Sequence, residues 1–229
     1  MRKLLVLLGV LLALLVAADR IGAVVAGRVV ASTLRADAGL RSDPSVRIVG
    51  FPFLTQVLAG RYQRVVVRAK DVDRSGVRLS DLCVDLVGAR IPVDRALAGS
   101  VSQVPVESLR GSVRLTYVDL VGQHTELVVT PMRDDLVRVT GKLTVLGATV
   151  EASSSSTLTL RGTTLVLTAR SLSVEGVNNP LVDQAIAGRL DLKVPIGPLP
   201  FGLQLTRVHA TSTGVVLDAR SGPTVLRAR

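Results

Sequence analysis

Two histidines, His124 and His209, and two carboxylate pairs, Asp71-Val72-Asp73 and Asp134-Asp135, have the types and spacing for acid–base or metal chemistry in this 229-residue chain. Carboxylates that bracket one residue can share a divalent ion, which makes Asp71 and Asp73 the candidate metal pair. Their setting favours a plainer role. A strand meets Asp73-Arg74-Ser75-Gly76 there, and aspartate suits turns because its side chain accepts local backbone hydrogen bonds. Asp134-Asp135 likewise reads as a hairpin tip. His209 falls at the end of a strand pattern and His124 in a polar stretch beside Gln123 and Thr125. The sequence carries no Gly-x-Ser-x-Gly elbow, no His-Glu-x-x-His and no glycine-rich phosphate loop. The expectation is a chain without catalytic residues, metal or cofactor.

The elements around these residues are apolar. Hydrophobic residues make up 48% of the chain and mean hydropathy is +0.45, high for a soluble protein. Arg2 and Lys3 precede an uninterrupted apolar run from Leu4 to Ala18, followed by Asp19 and Arg20. In helical form that run spans roughly 22 Å, short of a ~30 Å hydrocarbon core, and Val16-Ala17-Ala18 is a small-residue cleavage site. Residues 1–18 are therefore expected to be a signal peptide, with an uncleaved anchor as the alternative; either exports the remainder to the periplasm or cell envelope. Cys83 is the only cysteine, so no intramolecular disulfide is available and the fold must rest on packing.

Beyond the run, Ile21, Val24, Val25 and Val29 recur at helical spacing and predict a helix to about Ala38, with Gly39 as its stop. The period then becomes two. In 64–71, Val65, Val67 and Ala69 point one way and Arg64, Arg68 and Lys70 the other. Similar alternation follows at Leu82, Val84 and Leu86, at Val113, Leu115 and Tyr117, at Val137, Val139, Leu143 and Val145, and at Leu158 and Leu160. Further apolar runs lie at 165–167, 203–208 and 215–217, and turn residues at Arg161-Gly162 and Ser212-Thr213-Gly214 separate several of them. A second amphipathic helix is expected from Asn179-Pro180 through Val182, Ala185, Ile186 and Leu190. The fold class is α+β, a long antiparallel sheet covered by amphipathic helices. Whether the sheet closes or only curls stays open.

The formal charge of +10 favours anionic partners. With aromatics at 2% and an export segment present, nucleic acid is excluded in favour of an anionic membrane surface. Phenylalanine is confined to Phe51, Phe53 and Phe201, each beside a proline. Because proline has no amide hydrogen, Phe51-Pro52-Phe53 and the stretch Pro195, Pro198, Pro200 before Phe201 belong at an edge or rim, compatible with the mouth of an apolar cavity.

These segments resemble the LmeA-like phospholipid-binding proteins of the actinobacterial cell envelope. The resemblance rests on Ala18-Asp19-Arg20, Gly50-Phe51-Pro52-Phe53-Leu54-Thr55-Gln56 and Gly60-Arg61-Tyr62 before Val65-Val66-Val67. It extends to Leu79-Ser80-Asp81-Leu82, Thr116-Tyr117-Val118-Asp119-Leu120 and Pro198-Leu199-Pro200-Phe201-Gly202-Leu203. It implies a TULIP-like fold, a strongly curved antiparallel sheet wrapped around helices with an elongated apolar cavity, in a single lipid-binding domain over 19–229. It also implies phospholipid binding, with a role in lipomannan elongation for the best-known relative. On this reading Phe51, Phe53, Leu54 and Phe201 are rim or lining residues, Val65 and Val67 line the cavity, and Arg64 and Arg68 contact headgroups or the membrane. Two alternatives stay open: an enzyme or subunit acting on lipid-linked glycans with a metal on Asp71 and Asp73, and an envelope adaptor whose apolar surface meets a protein.

Overall fold

The computed structural model describes residues 2–38, 42–74, 77–98, 101–122, 126–145, 148–174, 186, 190–197, 199 and 202–227. Its first elements are α1 (Arg2–Ala38), β1 (Ser45–Val49), α2 (Phe53–Ala59), β2 (Arg61–Arg74), β3 (Val77–Arg90), α3 (Val93–Leu97), β4 (Gln103–Val106) and β5 (Ser108–Leu115). There follow α4 (Tyr117–Val121), β6 (Leu127–Pro131), β7 (Leu136–Val145), β8 (Ala148–Arg161) and β9 (Thr164–Val174). The last are β10 (Leu192–Pro195), β11 (Gln204–Thr211), β12 (Gly214–Ser221) and β13 (Thr224–Arg227). The strands hydrogen-bond in the orders β1-β2-β3-β5-β12-β11, β10-β9-β8-β7-β6 and β13-β4. This is the α+β class expected, a long helix with long antiparallel strands. The chain forms two compact units, Met1–Lys70 with Cys83–Gly111 and Ser221–Arg229, and Asp71–Leu82 with Ser112–Arg220.

In the first unit α1 is one continuous helix, where the sequence suggested an apolar run ending at Ala18 and a separate helix from Ile21. The packed face also differs from expectation. Ile21, Val24, Val25 and Val29 are exposed, while Gly27 and Ala31 are buried and Gly22, Ala23 and Ala26 are half-buried. Small side chains explain the choice, since they let the helix approach the strand beneath it. A Cβ at Gly27 would lie 2.6 Å from the carbonyl oxygen of Val46 in β1, so only glycine fits. The predicted stop at Gly39 lies outside the described residues. β1 pairs antiparallel with β2 in the register Ser45↔Arg68 to Val49↔Arg64.

In the second unit, β6 to β10 pair antiparallel throughout their five-stranded sheet. Leu115, Val137, Val139, Leu165, Leu167, Val215 and Leu217 are fully enclosed in its core. The hairpin tip expected at Asp134-Asp135 is present, both residues adopting positive φ (59° and 57°) between β6 and β7. The turns at Gly162 and at 212–213 also fall where turn chemistry put them. Tyr117 does not extend β5; it begins α4, because Thr116 caps that helix by accepting the Asp119 amide at 3.2 Å. Of the helix expected over 179–190, only Ile186 and Leu190 are described, and both are buried in the core.

Candidate functional site

Residues 50–56 form a self-locked unit that presents one aromatic inward and one outward. Gly50 has φ of +126°, and a Cβ there would come within 2.5 Å of the Gln56 side chain. Gln56 is buried; its Oε1 accepts the Gln63 amide at 3.0 Å and so ties the segment to β2. Thr55 Oγ1 donates back to the Pro52 carbonyl at 2.8 Å. The Phe51–Pro52 peptide bond is cis.

This segment is also bound to α1. Asp19 Oδ1 accepts the Leu54 amide at 2.8 Å, and the Arg20 guanidinium carbon sits 4.7 Å from the centroid of the Phe51 ring. Asp19 is buried, so its carboxylate is turned away from solvent even though it follows the apolar run directly. Phe53 packs inward, with a Cβ at Gly22 placed 3.5 Å from its ring and the Tyr62 ring tilted against it at 6.5 Å. Phe51, Leu54 and Leu58 remain exposed on the outer side of α2.

The β1–β2 ladder separates apolar from basic positions as the alternation predicted. Directly paired residues share a face, so Ser45, Arg47, Val49, Arg64, Val66 and Arg68 lie together, and they line a depression of about 190 Å³. Val46, Ile48, Val65 and Val67, all half-buried, occupy the opposite face. Arg64 is ion-paired with Asp85 of β3, and Arg61 with Glu107 at 2.7 Å. Arg47 and Arg68 make no ion pair among the described residues. A second depression, of about 330 Å³, runs along α1 between Arg20 and Arg28 over Ile21, Val24 and Val25.

The structure thus brings Phe51, Phe53 and Leu54 together on one short element and sets Val65 and Val67 back to back with Arg64 and Arg68. Phe201 lies outside the described residues. Arg47, Arg28 and Leu58 were not singled out by sequence. Leu58 carries a readable signal, being one helical turn beyond Leu54, whereas Arg47 joins Arg64 and Arg68 only through strand register.

Of the residues with chemical potential, His124 lies outside the described residues and His209 lies on β11. Asp71 lies within β2 rather than in a turn and accepts both Nε and an Nη of Arg78, at 3.0 and 2.6 Å. No group of three or more His, Cys, Asp or Glu side chains fit to hold a metal occurs among the described residues. Asp119 Oδ2 accepts from Thr116 at 2.6 Å and from Ser80 at 3.1 Å, which joins two further segments of the sequence resemblance within the second unit. Both tyrosines titrate high. Burial raises both Tyr62 and Tyr117, and the Tyr117 hydroxyl donates to the Thr211 carbonyl.

Residues 17–220 match the family model described as LmeA-like phospholipid-binding. No curated protein and no solved structure matches the chain.

Proposed function

Since the chain belongs to the LmeA-like phospholipid-binding family, we propose that it is an exported cell-envelope protein that holds phospholipid acyl chains without catalysing a reaction on them. The observation that carries this reading is the family match over 17–220, which takes in every segment of the sequence resemblance. α1, long and apolar enough to cross a bilayer, supports delivery to a membrane as a signal or an anchor.

Acyl chains rest against apolar positions that include Val65 and Val67, with Phe51, Phe53, Leu54 and Phe201 at the rim. Each methylene taken from water contributes about 0.8 kcal/mol, so retention demands that most of a chain be covered. Arg64 and Arg68 face away from Val65 and Val67, which suits them to an anionic membrane surface better than to the headgroup of a lipid resting on those valines. Arg47 joins them there. Within this reading the bound lipid serves lipoglycan assembly, lipomannan included, or transfer between membranes. The scarcity of lysine, found only at Lys3, Lys70, Lys142 and Lys193, supports a high-GC actinobacterial source.

Organic extraction of the purified protein followed by mass spectrometry tests the proposal. Phospholipid in stoichiometric amount is the expected result. A protein that purifies without lipid and takes none up from vesicles would overturn it.

A further inference from the structure

The sharpest discontinuity in the first unit lies along α1. From Leu4 to Val16 the helix is apolar and exposed all round; from Asp19 onward it has two faces, the small-residue face docked on β1 and α2 and the branched face open. The branched face is not an isolated stripe. It continues the apolar surface of the preceding turns, with Ile21, Val24 and Val25 all half exposed or more.

Depth along the helix follows from its rise of about 1.5 Å per residue. Measured from Ala18, Ile21 lies roughly 5 Å and Val25 roughly 10 Å beyond the apolar run; since that run falls about 8 Å short of a ~30 Å hydrocarbon core, both lie between the outer hydrocarbon and the headgroup layer of about 5–8 Å above it. α2 is held at the same level, because Leu54 is bonded to Asp19 and Phe51 lies under Arg20. It presents Leu54 and Leu58 outward, Leu58 being 78% exposed, beside Phe51 just before it at 52%. The charges around them suit the same layer: Arg20 and Arg28 flank the open face, and the nearby acid, Asp19, is turned inward.

We propose that Phe51, together with Leu54 and Leu58 of α2, forms with the adjoining open face of α1 a docking patch that enters the headgroup region of an anionic phospholipid bilayer, where Arg20 and Arg28 meet lipid phosphates. The proposal rests on the phospholipid-binding reading for the identity of the partner, and it assigns a contact that reading does not contain. A protein partner on the same patch is the competing occupant.

The chain has no tryptophan, so Leu58→Trp creates a single reporter at a solvent-facing position. The full-length variant is placed in nanodiscs of phosphatidylcholine and phosphatidylglycerol, with and without bromine on the acyl chains. The expected result is blue-shifted emission that resists iodide and loses most of its intensity on brominated chains. Emission typical of water-exposed indole, quenched by iodide and indifferent to bromine, overturns the patch and leaves the surface to a protein. Phospholipid extracted from the detergent-purified wild type and from Leu58→Asp gives the second measurement. Equal stoichiometric lipid beside a water-exposed indole sinks the docking patch alone; absence of lipid from both proteins beside a bilayer-buried indole sinks the carrier reading alone.

Discussion

The carboxylate of Asp19 accepts the backbone amide of Leu54 across 35 residues of sequence, and so fastens the first turn of α2 to the point where the apolar half of α1 ends. Two stretches that resemble the family separately, Ala18-Asp19-Arg20 and Gly50 to Gln56, are one structural unit. Replacing Asp19 tests the clamp. Asp19→Asn keeps an acceptor oxygen and is expected to hold the Leu54 amide nearly as well. Asp19→Ala removes it and should speed hydrogen exchange of that amide and lower the melting temperature. Equal exchange in wild type and Asp19→Ala would mean that the bond does not hold α2.

Gly27 predicts a steric effect of defined position. Gly27→Ala sets a methyl 2.6 Å from a backbone oxygen that cannot rotate away, and overpacking of this kind costs about 1–3 kcal/mol. Gly9→Ala is the matched control, since a Cβ there meets nothing within 4 Å. Denaturant unfolding should separate the two variants; equal stability would show that α1 is not seated on β1 as described.

Phe51 and Phe53 should respond oppositely to truncation. Phe53 is 6% exposed, and loss of a ring so placed costs about 3–5 kcal/mol. Phe51→Ala gives up an exposed contact with Arg20 worth about 0.5–1 kcal/mol, and should chiefly reduce lipid retention. Thermal melts and extracted phospholipid, measured on both variants, check the division. A reversal, with Phe51→Ala the less stable, would sink it.

Alkaline titration reads each unit through its own tyrosine, Tyr62 in the first and Tyr117 in the second. Both are raised above the ordinary value of 10.0, so the folded state keeps these protons longer than the unfolded state. The contribution of each buried phenol is complete below the unfolded value and is lost as pH rises through the folded one. Phenolate absorbance should therefore begin above the pH found for a tyrosine amide, and stability should fall over the same interval. Tyr117→Phe leaves the signal of Tyr62 alone. An onset at the model-compound pH in either single variant would contradict the burial.

Strand positions were legible wherever one face of a strand is covered, as at Arg64 to Ala69, because alternation records the two environments directly. Turns at Asp134-Asp135 and Gly162 were legible for a local reason, the need for positive φ. Helical periodicity at Ile21, Val24, Val25 and Val29 was equally clear but did not say what covers that face. The side that packs is marked by small residues, whose value lies in how closely a backbone can approach. Asp19 resembled the polar end of an apolar segment because its partner amide is far away in sequence. Asp71 resembled a turn residue for want of a visible cross-strand partner, which is Arg78. Arg47 entered the basic groove through β1–β2 register, a relationship between segments that no single window contains.

The seat of Gly27 over Val46 also makes α1 a gauge. Sliding the helix by one turn in either direction would bring Ala23 or Ala31 over the same carbonyl, and each carries the methyl for which there is no room. With α1 retained as a membrane anchor, as proposed above, this seat would hold the first unit in one register along the anchor. Under that proposal, lengthening or shortening the apolar segment would raise or lower the unit by about 1.5 Å per residue, while its seating on β1 stayed unchanged.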